Sequence, residues 1–425
     1  MKVAVIGTGI AGNVAAYHLS KTHEVTVFEA NEYIGGHTHT HDIELNDKQY
    51  AIDSGFIVFN YKTYPNFTKL LDELDVNVKP SAMSFSVKCE KSGLEYNGTT
   101  LNSLFAQRRN LFNPRFYGMI KDILRFSKEA LLVLEQKDEA LSLGELLQRN
   151  NYSREFIEHY IIPMGAAIWS SDPDIMHHFP AHYFIQFFHN HGMLNVNDRP
   201  VWHVIDGGSR EYVKKLIKPF EKNIRLSTPV KKLTRHQDHV VIETEKYGIE
   251  QYDYVFIATH SDQALAMLSD PTMLEKQVLS AIPYQENDAV LHTDKSVLPK
   301  RKLAWAAWNY HILKQKQDRV ALTYNMNILQ GINAPEEFCV TLNNSSVIDE
   351  SKIIKSMKYD HPMFTPDGVA AQQRQHEVNG SHRTFYCGAY WRFGFHEDGV
   401  VSALNALEHF EDVITNEQQY IRRAS

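Results

Sequence analysis

The first chemically informative residues are glycines spaced as Gly7-x-Gly9-x-x-Gly12, with the acidic residue Glu29 further along the chain. In this spacing the first glycine permits a tight turn, the second lets the backbone approach a pyrophosphate, and the third lets a helix pack closely on a strand. A carboxylate in the position of Glu29 can accept hydrogen bonds from ribose hydroxyls. These residues predict a binding site for a dinucleotide; the alternative is a glycine-rich turn without a ligand.

The elements around the glycines have to hold them in place. The stretch KVAVIG has the pattern of a buried strand, NVAAYHLSK that of a helix, and EVTVFEA that of a second strand ending at Glu29 and Ala30. The start of the helix, at Ile10 and Ala11, offers free N–H groups and the positive end of the helix dipole to phosphate groups. Because these parts occur in the required order, we predict a nucleotide-binding βαβ unit.

Three histidines, His37, His39 and His41, alternate along the chain just after this unit. On a β-strand they would share one face, which raises the alternative of a metal site. The paired glycines Gly35 and Gly36, directly before them, favour a backbone contact with the cofactor, with His37 nearest to it. His39 and His41 are then ordinary residues of a strand, and we predict no metal site.

The order Glu29, Gly35, Gly36 resembles the FAD-dependent amine-oxidase-like superfamily, the flavin-containing amine oxidoreductases. The resemblance covers three separated blocks of the chain and implies an FAD cofactor. Many members carry Arg or Lys after the paired glycines, where this chain has His37. The phrases GGHTHT, DSGFIVFN and GFHEDG look like one subgroup of predicted NAD/FAD-binding proteins associated with cyclopropane-fatty-acid-synthase-type enzymes. The resemblance implies further cofactor contacts at Gly55, Phe56, Val230, Ala258, Thr259, Gly388, Ala389, Asp398, Gly399 and Val400.

The last block, TFYCGAYWRFGFHEDGVV, is similar to the superfamily's C-terminal flavin motif. In that motif the N-terminus of a helix points its dipole at the flavin. We predict that the helix begins near Gly399, with Asp398 as its N-cap. Many members have an acidic residue where this chain has Ala389, so the usual contact with a ribityl hydroxyl is absent or comes from elsewhere.

Three side chains are candidates for catalysis: His292, Tyr390 and His396. The resemblance puts His292 where amine oxidases carry a lysine near the flavin, so it would relay a proton over the reactive face. The alternative is a hydrogen-bonded histidine of the sheet. Tyr390 belongs to an aromatic set that would either flank the flavin or pack in the core. His396 would either reach the flavin or cap the following helix.

The order of elements predicts an α/β protein of the amine-oxidase or glutathione-reductase type, with a doubly wound FAD-binding domain and an inserted mixed α+β substrate domain. The predicted FAD-binding domain comprises residues 1–80, 206–284 and 376–425, and the substrate domain comprises residues 81–205 and 285–375. We expect residues 101–190 to be mostly helical, with one helix ending at Pro163, and residues 285–345 to form an antiparallel sheet.

Composition narrows the class of protein. The 425 residues carry a net charge of -7, which gives no reason to expect nucleic acid as a partner. Three widely spaced cysteines argue against a disulfide framework and fit a reducing compartment. No apolar run is long enough for a transmembrane helix, so we predict a cytoplasmic protein. The basic amphipathic stretch 105–126 is favoured as a solvated helix that packs its apolar side on the substrate domain, with peripheral contact with a membrane surface as the alternative.

Together these features predict an FAD-dependent oxidoreductase that acts at a C–H bond of an apolar substrate. The association of the subgroup implies a lipid acyl chain, dehydrogenated or isomerised at flavin N5. Two alternatives are an amine oxidase for a small amine or polyamine, and a non-catalytic flavin-bound partner of a lipid-modifying enzyme of the cyclopropane-fatty-acid-synthase type. An apolar tunnel would favour the lipid, and a short aromatic cage with an acidic entrance would favour the amine.

Overall fold

A computed structural model describes residues 1–136, 141–195, 200–315 and 318–424 of the chain. The strands are β1 (Lys2–Ile6), β2 (Glu24–Phe28), β3 (Thr40–Leu45), β4 (Lys48–Asp53), β5 (Phe59–Asn60), β6 (Val78–Ser81), β7 (Phe85–Cys89), β8 (Leu94–Asn97), β9 (Trp202–Ile205), β10 (Ile224–Arg225), β11 (Val230–Arg235), β12 (Val240–Thr244), β13 (Gly248–Tyr252), β14 (Tyr254–Ile257), β15 (Tyr284–His292), β16 (Trp308–Ile312), β17 (Leu322–Asn325), β18 (Cys339–Leu342), β19 (Ile353–Pro362) and β20 (Thr384–Tyr386).

The helices lie between and after these strands. They are α1 (Ile10–Leu19), α2 (Pro65–Glu73), α3 (Leu101–Leu104), α4 (Pro114–Gln136), α5 (Leu143–Arg149), α6 (Arg154–Phe156), α7 (Ile162–Trp169), α8 (Ala181–Asn190), α9 (Arg210–Ile217), α10 (Ser261–Met267), α11 (Met273–Leu279), α12 (Met326–Leu329), α13 (Pro366–Gln372), α14 (Gln375–Val378) and α15 (His396–Ala424). In the described ranges, no helix combines the length and the apolarity needed to cross a membrane.

A parallel five-stranded sheet forms the first half of the structure, with strand order β10-β2-β1-β14-β20. Its strands are buried on both faces, which explains why their sequences are continuous apolar runs rather than alternating ones. Helices α1, α9 and α15 cover one face, and a layer containing the small β11-β12-β13 sheet, α10 and α11 covers the other. The predicted βαβ unit and the α/β class are confirmed.

The strands of this parallel sheet come from all three segments predicted for the FAD-binding domain: β1 and β2 from the first, β10 and β14 from the second, and β20 from the third. The exact domain boundaries stay a prediction.

A seven-stranded sheet forms the second half, in the order β19-β15-β18-β17-β16-β7-β8. Helices α4 to α8 pack against its β7, β8, β16 and β17 strands through one large apolar cluster. The sheet is antiparallel except where β16 pairs in parallel with β7. The strands within residues 285–345 pair antiparallel throughout, which confirms the prediction for that range. The parallel pair arises because β7 and β8 come from far upstream and join the sheet at its edge.

The helix expected to end at Pro163 continues through it. Residues Ile157–Ile161 form a π-helical turn between α6 and α7, and this wider turn accommodates a proline that has no N–H. The carbonyl of His159, four residues before Pro163, accepts a hydrogen bond of 2.7 Å from the Tyr96 hydroxyl instead. The prediction failed because a side chain from another element satisfies the carbonyl that a proline leaves free.

Candidate active site

A cavity of about 1320 Å³ is lined by both halves of the molecule. The parallel sheet contributes the turn between β1 and α1, the end of β2 and the loop after β14. The seven-stranded sheet and its helices contribute the rest. Of the residues predicted to bind a cofactor, those lining the cavity are Gly7, Gly9, Ile10, Ala11, Glu29, Ala30, Gly35, Gly36, His37, Gly55, Phe56, Val230, Ala258, Thr259, Gly388 and Ala389.

The N-terminus of α1 opens into this cavity. Gly9 is the N-cap, and no side chain caps the helix. A Cβ built on Gly9 would meet no other atom within 4 Å, so the space above its backbone is free for a ligand. Gly12 does not line the cavity: a Cβ there would lie 2.0 Å from the Gly7 carbonyl oxygen and 3.1 Å from Ala258 Cβ. Gly12 therefore allows the close helix–strand packing, as its place in the motif predicts.

Glu29 lies at the end of β2, where its carboxylate is held by the backbone. The Thr8 N–H and hydroxyl donate to its Oε2 at 2.9 and 2.5 Å, and the Asn31 N–H donates to its Oε1 at 2.8 Å. These donors fix the carboxylate beside the glycine turn. Unused lone pairs on its two oxygens can still accept hydrogen bonds from a ligand in the cavity.

The loop that carries His37 packs closely against the glycine turn at Gly9 and against Gly55. Gly36 has φ +58°, and a Cβ on it would lie 3.1 Å from Gly9 Cα. A Cβ on Gly55 would lie 2.1 Å from the His37 carbonyl oxygen. His37 does not lie on a strand, since β3 begins at Thr40. Its Nε2 is buried and has no hydrogen-bond partner in the described chain, so this atom is available to a ligand in the cavity.

Other imidazoles surround His37. Its ring centroid lies 5.4 Å from that of His361 and 6.4 Å from that of His260. Burial, followed by the nearby imidazoles, holds the pKa of His37 well below its usual value, and burial lowers the pKa of His361 to about 4. The cluster is therefore neutral near pH 7. Among the described residues, no three His, Cys, Asp or Glu side chains are placed to share a metal ion.

The C-terminal block reaches the cavity only in part. Its residues Gly388, Ala389, Tyr390 and His396 line the cavity, whereas Asp398, Gly399 and Val400 do not. Helix α15 begins at His396, three residues before the predicted start. Asp398 is consequently not the N-cap. It lies in the first turn, and its Oδ2 accepts a 2.9 Å hydrogen bond from the Phe395 N–H just before the helix.

Close packing explains why the next two residues are turned away from the cavity. A Cβ on Gly399 would lie 2.5 Å from Ile10 Cγ2, so Gly399 allows α15 to pack directly on the start of α1. Val400 belongs to the apolar cluster beneath the parallel sheet. Their predicted contact with the cofactor is not supported by this geometry.

Two of the three catalytic candidates are at the cavity. His396 stacks on Phe56 with ring centroids 3.6 Å apart, and its Nε2 lies 2.7 Å from the Tyr212 hydroxyl oxygen. Burial lowers the pKa of His396 to about 3, so it is neutral over the physiological range. The Tyr390 hydroxyl is buried without a hydrogen-bond partner in the described chain, and burial raises its pKa.

The third candidate, His292, is not at the cavity. It lies at the end of β15, fully buried, opposite Cys339 of β18. Its Nε2 lies 2.7 Å from the Thr341 hydroxyl, and its Nδ1 accepts a hydrogen bond from the Asp294 N–H at 3.0 Å. Both ring nitrogens are thus used within the sheet. The expectation that His292 lies over a reactive face is not met, and the alternative of a hydrogen-bonded sheet histidine describes its position.

The second half of the molecule gives the cavity an apolar wall, which sequence reasoning missed. Adjacent aromatic and aliphatic residues were visible in the sequence, but nothing there showed that separate helices and strands bring them together. We define the apolar wall as the lining residues Phe85, Tyr160, Met164, Ile168, Trp169, Phe187, Met193, Trp308, Tyr324, Phe364, Phe393 and Phe395.

Charged side chains avoid the apolar wall. The carboxylates among the cavity-lining residues described are those of Glu29 and Asp360. Glu29 lies beside the glycine turn, and Asp360 lies on β19 next to His361. The apolar wall therefore has no acidic group to pair with a cationic ligand.

The donors and spaces at the glycine turns fit a flavin dinucleotide. The uncapped N-terminus of α1, the free space above Gly9 and the unpartnered His37 Nε2 suit a pyrophosphate, and the fixed carboxylate of Glu29 suits a ribose. Sequence reasoning did not identify Thr8, which anchors Glu29, or His260 and His361, which surround His37; their positions depend on tertiary packing.

Comparison with known proteins gives the same assignment. Residues 10–319 match the sequence family described as flavin-containing amine oxidoreductase. No curated protein matches the chain.

Several solved structures share the fold over nearly the whole chain. A CLA-producing fatty acid isomerase from P. acnes has 15% identity and a TM-score of 0.68, covering 96% of this chain and 98% of its own. Cyclohexylamine oxidase from Brevibacterium oxydans IH-35A has 13% identity and a TM-score of 0.67, covering 97% of this chain and 99% of its own. Wild-type putrescine oxidase bound to putrescine has 13% identity and a TM-score of 0.67, with the same coverage of 97% and 99%.

At these identities the likeness to solved structures shows the fold, whereas the family match covers well over half of the chain. The chain therefore belongs to the flavin-containing amine oxidoreductases and is an FAD-dependent oxidoreductase.

Proposed function

We propose that this oxidoreductase acts at a C–H bond of a lipid acyl chain, which it dehydrogenates or isomerises. The observation that carries the proposal is the apolar wall, a set of aromatic and aliphatic side chains from separate helices and strands that line one cavity together. Such a surface favours a long apolar substrate because burial of apolar area is its main source of binding energy. One of the structural neighbours is described as a fatty acid isomerase.

Different residues of the cavity would bind the cofactor and the substrate. The glycine turns and Glu29 would hold the dinucleotide part of FAD, and Val230, Ala258 and Thr259 line the same region. When bound, the flavin supplies a hydride acceptor. The apolar wall excludes water and orients the acyl chain, and the neutral His396 beside Phe56 leaves no fixed positive charge next to it.

One hydrogen-bond donor in the apolar wall suits the head of an acyl lipid. The indole N–H of Trp308, on β16, is buried and has no hydrogen-bond partner in the described chain. A buried donor without a partner is costly, and an ester or carboxyl oxygen of a substrate would satisfy it. This donor would position one end of the acyl chain while the other side chains of the wall hold its hydrocarbon.

The experiment is anaerobic reduction of the FAD-loaded protein, followed by the loss of visible flavin absorbance. Acyl lipids are expected to bleach the flavin, or to be recovered as double-bond isomers without bleaching. Ile168→Trp, which fills the cavity, should slow either reaction at least tenfold, whereas the volume-conserving Ile168→Leu should not. Both variants should keep full FAD and be reduced normally by dithionite.

Amine oxidation is the competing function, and two of the structural neighbours are amine oxidases by their names. Among the described residues lining the cavity, the carboxylates are Glu29, which is held at the glycine turn, and Asp360. This small number disfavours amine oxidation, since a protonated amine would have to lose its water with little counter-charge to gain. Bleaching by small amines or polyamines, but not by acyl lipids, would overturn the proposal. A protein that carries FAD but changes with neither substrate class would instead indicate a flavin-bound partner of another enzyme, for which a cyclopropane-fatty-acid-synthase-type enzyme is the candidate.

A further inference from the structure

The outer surface of α4 is unusually apolar for a solvent-facing helix. Its inner face packs Phe116, Met119 and Phe126 into the large cluster against the seven-stranded sheet. The outer face repeats with the spacing of one helical side, and all its members are exposed: Tyr117, Lys121, Leu124, Lys128 and Leu131. We call these five residues the α4 outer face.

Two further large apolar residues are exposed in the segment before the helix begins. Phe112 is 88% exposed and Leu101 is 77% exposed. Single exposed apolar residues are common, but several large ones on one continuous segment mark an interaction surface.

The charges on this surface have one dominant sign. Exposed cations from residue 101 to the described end of α4 are Arg108, Arg109, Arg115, Lys121 and Lys128, whereas the exposed carboxylate of that segment is Glu135. Arg108 and Arg109 donate to backbone carbonyls, and Arg115 lies 3.8 Å from Glu155. Lys121 and Lys128 make no ion pair with any residue that the structure describes, so their charges are available to a partner.

We propose that the α4 outer face, together with Phe112 and Leu101, docks on the surface of an anionic phospholipid bilayer. Lysines that alternate with large apolar residues suit the boundary between headgroups and acyl chains, where each lysine can reach a phosphate while its neighbours enter the hydrocarbon. Anionic lipids attract such cations over about one Debye length. The protein then binds the bilayer peripherally through a face of its second half.

The docking surface lies next to the wall of the cavity. Thr99 lines the cavity, Thr100 caps α3, and the exposed Leu101 is the first residue of that helix. Docking would therefore bring the membrane close to the apolar wall. Only this consequence, delivery of an acyl lipid from the bilayer, rests on the proposed function; membrane binding itself does not.

The test is sedimentation of the FAD-loaded protein with vesicles. Mixed phosphatidylglycerol and phosphatidylcholine vesicles are expected to carry the protein into the pellet at low salt, and high salt should release it. The double variant Lys121→Glu/Lys128→Glu should weaken vesicle binding by roughly tenfold or more, because each lysine near an anionic surface contributes measurably. Phe112→Ser/Leu124→Ser should weaken it to a similar degree.

The matched control is Met273→Ser/Lys276→Glu on α11. Met273 is 80% exposed and Lys276 is also exposed, so one replacement of each kind used on α4 is made together on another helix. The control variant should sediment like the wild type.

Several results would overturn the membrane proposal. They are a wild-type protein that stays in the supernatant, equal binding to pure phosphatidylcholine, and α4 variants that bind as tightly as the control. A dimer that Phe112→Ser dissociates, without vesicle binding, would assign the face to a second copy of the chain. Failure of the acyl-lipid function would look different: vesicles would still bind, but lipids in detergent micelles would leave the flavin unchanged.

Discussion

Replacement of Gly9 by alanine separates cofactor binding from folding. Gly9 has φ -62° and ψ 176°, which any residue can adopt, and its Cβ would meet no atom within 4 Å. The apo-protein should therefore unfold within a few degrees of the wild type, since the lower entropy of the unfolded chain offsets the poorer capping of α1 by alanine. The new methyl group, however, would occupy the space through which a pyrophosphate reaches the N–H groups of α1.

The expected loss of FAD affinity follows from the hydrogen bonds to phosphate that the methyl group would prevent. One charge-assisted hydrogen bond from a backbone N–H to phosphate contributes about 1.5–3 kcal/mol, so its loss should weaken FAD binding by roughly ten- to a hundredfold. The assay is titration of apo-protein with FAD, followed by quenching of flavin fluorescence, with apo-protein unfolding measured alongside by circular dichroism.

Two other glycines provide the comparison. Gly98 is exposed, has equal free space around its Cβ and does not line the cavity, so Gly98→Ala should change neither quantity. Gly12→Ala should destabilise the apo-protein itself, because its Cβ would lie 2.0 Å from the Gly7 carbonyl oxygen. Undiminished FAD affinity in Gly9→Ala would refute the assignment of this turn to the pyrophosphate.

Further predictions concern charge. His37→Arg should lower the melting temperature of the apo-protein, because a cation enters a cluster of neutral imidazoles. It should also enlarge the rise in melting temperature that FAD causes. An unchanged rise would show that His37 does not contact the cofactor. Arg235→Met leaves the buried carboxylate of Glu275 without its cation and should lower the free energy of unfolding in urea by about 3–5 kcal/mol. The double variant Arg235→Met/Glu275→Gln should recover part of this free energy. An equal loss of stability in both variants would contradict the pairing. Burial lowers the pKa of His361 to about 4 and that of His396 to about 3, below the usual 6.5. The unfolded chain therefore takes up protons that the folded one does not, and stability is present above pH 6.5 and lost progressively towards pH 3. Protonation of each histidine in the unfolded chain should lower the free energy of unfolding by about 2 kcal/mol by about pH 5. An equal urea midpoint at about pH 7 and about pH 5 would contradict this expectation.

The nucleotide-binding half of the fold could be predicted because its determinants are local. The turn at Gly7 and Gly9, the helix after it and the acid at Glu29 lie within thirty residues, and each has one physical task.

The rest of the site could not be predicted because it depends on contacts between distant segments. His292 was placed by resemblance to a strand position, but the hydroxyl of Thr341 on a neighbouring strand decides where its ring points. The helix through Pro163 depends on the Tyr96 hydroxyl, which comes from a hairpin far upstream. The apolar wall likewise combines residues that are far apart in the sequence, and no sequence periodicity predicts that they come together in the fold.

The parallel sheet has a consequence for how the protein is made. Strand β1 leaves the ribosome well before its neighbour β14, which pairs Tyr254 with Val3 and therefore arrives some 250 residues later. At ordinary translation rates of about 5–20 residues per second, this edge stays unpaired for roughly 10 to 50 s. The edge strand β20 follows only at Thr384–Tyr386, close to the end of the chain. A nascent chain must therefore keep an apolar, unpaired strand from aggregating, and it cannot complete its cofactor-binding sheet until β20 has emerged.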